Sequence, residues 1–239
     1  MSVVACVTIA VAVFLASCMQ ASIGFGMGML AAPVVALVAP TLLPGMLIAS
    51  ATTVTLLVVI RERGSLDFRG TGWALAGRVP GTIAGALLLV WLPTRGLSLL
   101  LAAVVLGGVV IASVGWRPAP VRRNLATAGA ASGLLGTATS IGGPPMALVY
   151  SGEENAHVRS NMSAFFLVGS LMSMAALAAT GSVSAEILWA FLALTPVVVL
   201  GFIASRAVNR VLDRDRLRTV SITVSAVGAA LLIGQQIFF

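Results

Sequence analysis

Charged residues are scarce in this chain. They make up 9% of its 239 residues, whereas hydrophobic residues make up 59%. Soluble domains carry roughly a quarter charged residues, so this composition excludes a water-soluble globule. Because a hydrocarbon core about 30 Å thick takes about 20 apolar residues per helix, the length predicts an all-α integral membrane protein with about six to eight crossings. No extramembrane domain fits between them.

Other absences narrow the function. The chain has no lysine, one histidine, and two cysteines without a Cys-x-x-Cys pair, so neither a metal site nor a nucleophile-and-base set is expected. All seven acidic residues lie in loops or at span ends, which leaves no carboxylate in mid-membrane for ion coupling. We therefore expect no enzyme, no cofactor and no metal. A net charge of +7 is compatible with nucleic acid as a partner, but the arginines cluster between apolar runs, where they act as topology signals, so no nucleic-acid partner is expected.

Clean apolar stretches predict six ordinary transmembrane helices. They cover residues 45–60, 72–91, 97–115, 160–180, 187–205 and 219–239. Cytoplasmic loops are enriched in arginine, and the arginines concentrate in the connections 61–69, 116–123 and 206–218. We expect these connections on the cytoplasmic side of the membrane.

Two further apolar segments, 3–39 and 124–150, are interrupted by glycine and proline. The interruptions are the runs SIGFGMG at 22–28 and SIGGPP at 140–145. Segment 124–150 is too short for two full crossings, so we predict a re-entrant pair of short helices that meet at the interruption. By analogy, segment 3–39 is predicted to form a second pair from the opposite face. A single full crossing with an extended end is the alternative for either segment.

The two halves of the chain also match in sequence. The motif Ser-Ile-Gly recurs after 118 positions, and a Trp, Pro, Gly series that starts at Trp73 recurs after 116 positions. This nearly constant offset predicts a duplication, with repeats at 1–118 and 119–239, each a broken segment plus three transmembrane helices. The arginine rule gives corresponding spans opposite directions, so the repeats are predicted to be inverted, as is typical of secondary transporters.

The interruptions are the candidate binding site. Irregular backbone at membrane depth is tolerated only where it is buried in protein or lines a watery cavity. A helix that starts there presents free N–H groups and its positive dipole end, and glycine lets an anion approach. The alternative is that the glycines only permit tight helix crossings. The predicted substrate-binding residues are Ser22, Gly24, Phe25, Gly26, Gly28, Arg78, Thr139, Ser140, Gly142, Gly143, Pro144 and Asn161.

Two members of this set lie outside the interruptions. Arg78 is the one arginine well inside a span, where arginine is costly. Its side chain either attracts an anion into a cavity or snorkels toward the cytoplasmic headgroups, and the sequence does not decide between these readings. Asn161 opens the span after the second interruption.

Three motifs resemble the TauE/SafE family of sulfite exporters, also called TSUP permeases. They are Gly24-Phe25-Gly26-Met27-Gly28 followed by Pro33, Gly142-Gly143-Pro144-Pro145, and Arg159-Ser160-Asn161 leading into Phe165-Phe166. The resemblance covers nearly the whole chain and implies a multi-pass permease of the plasma membrane, in a bacterium the inner membrane, with about eight helices. Met27, where the family often has another glycine, and the double proline depart from the family pattern.

The resemblance and the residues together predict an alternating-access carrier for a small anion. The resemblance implies that this anion is sulfite, an organosulfonate or a related sulfur-containing or organic anion. An anion channel and a non-transporting membrane scaffold are the alternatives. The expected partners are therefore the anionic substrate and the lipid bilayer, and homo-oligomerisation is left open.

Overall fold

The described part of the chain is helical throughout. The structure is a computed structural model that describes residues 2–62, 68–114, 118–150, 155–211 and 223. Within these ranges there is no β-strand, which confirms the all-α fold class. The elements are α1 (Val3–Ile23), α2 (Met27–Val38), a 3-10 turn (Pro40–Leu42), α3 (Gly45–Arg61), α4 (Phe68–Trp91), α5 (Thr94–Val114), α6 (Arg122–Thr139), α7 (Gly143–Val149), α8 (Asn155–Ala179) and α9 (Ala185–Val211).

Several of these helices are long and apolar enough to cross a bilayer. The long candidates are Val3–Ile23, Thr71–Trp91, Ser160–Ala179 and Ala185–Val208, and shorter apolar helices cover Met27–Val38 and Gly45–Arg61. Helices α3, α4, α5, α8 and α9 correspond to five of the six predicted spans. The sixth, 219–239, lies outside the described residues, apart from residue 223.

The interrupted segments differ from the prediction in one respect. The breaks are where the sequence predicted them, but the first helix of each pair is not short. Helix α1 has 21 residues, about 31 Å at 1.5 Å per residue, and α6 has 18 residues, about 27 Å. Both run unbroken up to the interruption because no glycine-proline combination stops them earlier. Beyond each break the chain is helical and not extended, because α2 and α7 are helices. Whether each segment re-enters or crosses the membrane stays a prediction.

Glycines set the closest helix packing in the molecule. On α4, a methyl group at Gly77 or Gly81 would overlap the carbonyl of Ala126 or Ala130 on α6. These contacts advance together along both helices, so α4 and α6 are parallel and their backbones touch, as small residues at every fourth position allow. Helices α9 and α1 pack similarly, since a methyl group at Gly201 would lie 2.6 Å from the Phe14 carbonyl oxygen.

The helices sort into two bundles with matching arrangements. The first bundle is α1, α2, α3 and α9, and the second bundle is α6, α7, α8 and α4; each has its own cluster of buried apolar residues. In both bundles, the long helix before the break packs on a helix from the other half of the chain. Helix α1 packs on α9, and α6 packs on α4. An inverted duplication predicts this arrangement. The repeat boundary at 118/119 stays a prediction.

Contacts between helix ends place the arginine-bearing ends on one face. Arg61 at the end of α3 reaches Ser205 near the end of α9, with 3.4 Å between Nη1 and Oγ. Pro44, just before α3, accepts a hydrogen bond from Ser140 at the end of α6. Helix α3 therefore begins where α6 ends, and its arginine end lies on the same side as Arg122 at the start of α6. That this face is cytoplasmic stays a prediction.

Apolar side chains cover the outer surface. On α1, Val3, Val7, Val11 and Leu15 are exposed at every fourth position, and α9 exposes Leu188, Leu192, Leu200 and Ile203. A continuous apolar surface of this kind suits contact with lipid tails. The fold is thus a multi-pass membrane domain in which the polar interior must carry the function.

Candidate functional site

The first break depends on two glycines. Gly24 ends α1 with a φ of 91° and donates its N–H to the Gln20 carbonyl at 2.8 Å. Gly26, with a φ of 125°, directly precedes α2. Side chains other than glycine rarely adopt such dihedral angles. The chain therefore turns sharply between α1 and α2 inside the protein.

The start of α2 is not bare, which corrects an expectation from the sequence. The Met27 N–H donates to Gln20 Oε1 at 2.9 Å. Gln20 Nε2 in turn donates to the Ala51 carbonyl of α3 at 3.2 Å. Both polar atoms of the buried Gln20 side chain therefore stabilise the break. The Met27 N–H, which is the first backbone N–H of α2, is not free to bind a ligand.

The second break is built around serines. Ser140 has a φ of 64°, donates its N–H to the Gly136 carbonyl at 2.9 Å, and donates its hydroxyl to the Pro44 carbonyl at 3.0 Å. Ser132 Oγ donates to the Gly142 carbonyl at 2.7 Å. These bonds anchor the break to α3 and α6.

Helix α7 offers fewer amides than the sequence analysis assumed. Its second and third residues are Pro144 and Pro145, and proline has no N–H. In the first turn only Gly143 and Met146 could donate. Two of the amides that a helix start would expose are therefore missing at this break, and the positive charge must come mainly from elsewhere.

The two breaks touch. A methyl group at Gly28 would overlap the Ser140 carbonyl, and one at Gly143 would lie 2.7 Å from Phe25 Cδ2. Between the breaks lies a cavity, the break cavity, with about 470 Å³ of non-atom space including its open mouth. It is lined by Gln20, Phe25, Gly26, Met27, Gly28, Met29, Ile48, Ala51, Arg78, Gly136, Ser140, Ile141, Gly142, Gly143, Phe166, Ser170 and Ser173.

Arg78 brings the charge into this cavity. Its side chain is only 3% exposed. Arg78 Nη1 donates to Ser132 Oγ at 3.3 Å, and the guanidinium carbon lies 4.8 Å and 5.5 Å from the ring centroids of Phe165 and Phe166. The side chain thus points into the protein, which rules out the snorkelling alternative.

The surroundings of Arg78 are neutral. A methyl group at Gly169 would overlap its guanidinium, so α8 passes directly over it. Arg78 Nε has no hydrogen-bond partner, and within the described ranges no carboxylate pairs with the side chain. The rings of Phe165 and Phe166 and the Ser132 hydroxyl offset part of the cost of burying the guanidinium charge. Within the described ranges, no negatively charged group accepts a hydrogen bond from it.

The structure gathers part of the predicted site around the cavity. Phe25, Gly26, Gly28, Arg78, Ser140, Gly142 and Gly143 line it. The other five predicted residues do not line it. The hydroxyls of Ser22 and Thr139 donate to carbonyls of their own helices, and Gly24 caps α1. Pro144 lines a different cavity, and Asn161, on α8, is not among the lining residues.

Several lining residues could not be found from the sequence. Phe166, Ser170 and Ser173 come from α8, and their place depends on how that helix packs against α3, α4 and α6. Thr52 Oγ1 of α3 donates to Ser170 Oγ at 2.9 Å, and Thr137 of α6 bonds Ser173 at 2.8 Å. No local pattern marks such contacts. The 118-position separation of Thr52 and Ser170 is the one hint, since it equals the repeat offset.

These features define a multi-pass membrane protein with a charged cavity enclosed between two helix breaks. The family described as sulfite exporter TauE/SafE matches residues 9–232, nearly the whole chain, and the chain belongs to that family. The family consists of anion exporters and permeases, which are transporters and not enzymes. No curated protein and no solved structure gives a significant match.

Proposed function

We propose that this protein is a secondary transporter that carries sulfite, an organosulfonate or a related small anion by alternating access. The anion binds in the break cavity beside Arg78. Family membership supports transport of an anion of this type, and the cavity supports the position of the site.

One observation carries the proposal. Arg78 is buried, and among the described residues its neighbours are neutral, with Nε unpartnered. An uncompensated buried charge costs several kcal/mol. An oxyanion would offset that cost, because the planar guanidinium fork matches two oxygens of one anion. The close contacts of Gly28 with the Ser140 carbonyl and of Gly143 with the Phe25 ring bring the two breaks together beside Arg78.

The geometry favours a carrier over a channel. The two breaks belong to segments of opposite direction, and they touch where the cavity lies. In inverted-repeat carriers, one repeat rocks against the other around such a central site. Such a carrier needs one central site, and the break cavity, which Phe25 and Phe166 help to line, is the candidate for it.

Sulfite uptake into proteoliposomes tests the proposal. For the unchanged protein we expect saturable uptake that speeds up when unlabelled sulfite is present on the far side, which a channel would not show. Losing the charged hydrogen bonds in Arg78→Gln should weaken apparent affinity by about 10- to 100-fold, while Arg78→Lys should retain part of it. Arg123→Gln, which removes an exposed charge, is the control and should leave uptake unchanged.

Two outcomes would contradict the proposal. Unaltered sulfite affinity in a folded Arg78→Gln protein would remove Arg78 from the site. No flux of sulfite, of taurine or of small carboxylates from a folded, reconstituted protein would favour the non-transporting scaffold.

A further inference from the structure

Three buried hydroxyls in the described helices lack a hydrogen-bond partner. Serine and threonine side chains in membrane helices commonly donate to the carbonyl three or four residues earlier. Here Ser17, Ser22, Ser50, Thr52, Thr55, Thr139, Ser173 and Ser205 do so. Thr82, Ser160 and Ser163 are at most 3% exposed, yet their hydroxyls have no partner. Unpartnered buried polar groups point to water or a ligand outside the protein.

These three hydroxyls and Arg78 Nε are arranged in sequence along two helices. Thr82 lies one turn beyond Arg78 on α4, and Ser160 and Ser163 lie on α8. Arg78 of α4 contacts Gly169 of α8. One turn further along α8, Ser173 hydrogen-bonds Thr137 of α6, and Thr137 in turn lies against Gly85, further along α4. Helices α4 and α8 therefore run in the same direction. The order from the arginine-rich face is Ser160, Ser163, Arg78 and Thr82, over roughly 20 Å.

Ser163 shares a helix face with the cavity lining. It precedes Phe166 by three residues and Ser170 by seven, and both of those residues line the break cavity. Positions seven apart on a helix differ by only about 20° in direction. Phe166 lies between Ser163 and Ser170 along α8. Ser163 itself is fully buried, so the connection is closed in this structure.

We propose that this face of α8 is an access route between the arginine-rich face and the break cavity. The Ser163 hydroxyl is an outlying binding position for the anion, and the Phe166 ring is the barrier between that position and Arg78. A hydroxyl suits this task because it can donate to an anion oxygen or to its water. The inference rests on the proposed function, since it assigns the path by which the same anion reaches Arg78.

Thiol modification tests the route. In a protein with Cys6→Ala and Cys18→Ala, a Ser163→Cys thiol would be treated with two thiosulfonate reagents, one neutral and one carrying a sulfonate. Ser17→Cys is the matched control, because Ser17 is also fully buried in a helix interface but its hydroxyl is satisfied by the Val13 carbonyl. We expect the Ser163→Cys thiol to react at least about tenfold faster than the control.

Protection of the Ser163→Cys thiol by an added anion would show that an anion binds at this position. Methanesulfonate is the probe, because sulfite would consume the reagent. We expect it to slow modification of the Ser163→Cys thiol severalfold and to leave the neutral reagent's reaction with detergent-unfolded protein unchanged. Replacing the barrier, in Phe166→Ala, should speed modification further.

The outcomes separate this inference from the proposed function. If the Ser163→Cys thiol reacts no faster than the Ser17→Cys thiol while the same proteoliposomes still exchange sulfite, the route is refuted and the transporter stands. If the thiol reacts but methanesulfonate neither protects it nor is transported, and sulfite is not carried either, α8 lines a water path and the anion assignment fails.

Discussion

The two bundles have the same packing and different chemistry. In the first bundle α9 packs on α1 around Val13, Ala16 and Val198, all buried. In the second bundle α4 packs on α6 around Arg78, and Leu194 occupies the corresponding place on α9 by the repeat offset. Glycines bring the backbones together in both. The shared glycines determine the packing of both bundles, whereas the corresponding position is a buried charge, Arg78, in one bundle and an uncharged residue, Leu194, in the other.

Making the second bundle as apolar as the first should have the largest effect on anion affinity. Arg78→Leu copies the residue at position 194. We expect anion affinity to fall by about 100-fold, while thermal stability in detergent is unchanged or rises, because a buried unpaired charge is removed. Binding and thermal unfolding of the same preparation measure both.

The opposite combination would contradict this reading. If Arg78→Leu destabilised the protein strongly but left affinity unchanged, the arginine would be a structural residue of the second bundle. Arg123→Leu controls for the loss of an exposed positive charge.

Separating the bundles where they touch should have a smaller effect. A methyl group in Gly28→Ala would overlap the Ser140 carbonyl, and overpacking of this kind costs about 1–3 kcal/mol. We expect roughly tenfold slower sulfite uptake and a lower unfolding temperature. Gly72→Ala is the control, since nothing lies within 4 Å of a methyl group there. Equal behaviour of the two variants would mean that the breaks need not touch for transport.

Loosening the first break alone should have the smallest effect. Gln20→Leu keeps the side-chain volume but leaves the Met27 N–H without its 2.9 Å partner, which costs about 1–3 kcal/mol if the group stays buried. We expect reduced stability with anion affinity lowered only severalfold, because the charge lies at Arg78. A loss of affinity as large as that of Arg78→Leu would show that Gln20, and not Arg78, is the main ligand. Gln20→Glu would sharpen the comparison by adding a negative charge that competes with the anion.

Sequence reasoning predicted what depends on local patterns. Hydropathy located the five spans that lie within the described residues, and the glycine and proline runs located both breaks. The span 219–239 stays a prediction. It failed where three-dimensional packing decides. The length of α1 was underestimated because a break fixes where a helix ends and says nothing of where it begins.

The site was predicted only in part for the same reason. A charge inside a span marked Arg78 as a candidate. Gln20 was not included in the predicted set, because its role depends on hydrogen bonds to Met27, beyond the break, and to Ala51 of α3. Phe166 belongs to the third motif of the family resemblance, but no local pattern gave it a place in the site, and Ser170 has no such signal. Asn161 and Pro144 were included for their position in sequence, and packing directs them elsewhere.

The central claim is that the anion binds at Arg78 between the breaks. Crystals of the protein with Cys6→Ala and Cys18→Ala, soaked in selenite as a sulfite analogue, would test it most directly through anomalous scattering of selenium; the substitutions prevent oxidation of thiols by selenite. We predict a selenium peak in the break cavity with its oxygens within hydrogen-bond distance of the Arg78 guanidinium. A peak at another place in a protein that still transports selenite, with none beside Arg78, would contradict the claim.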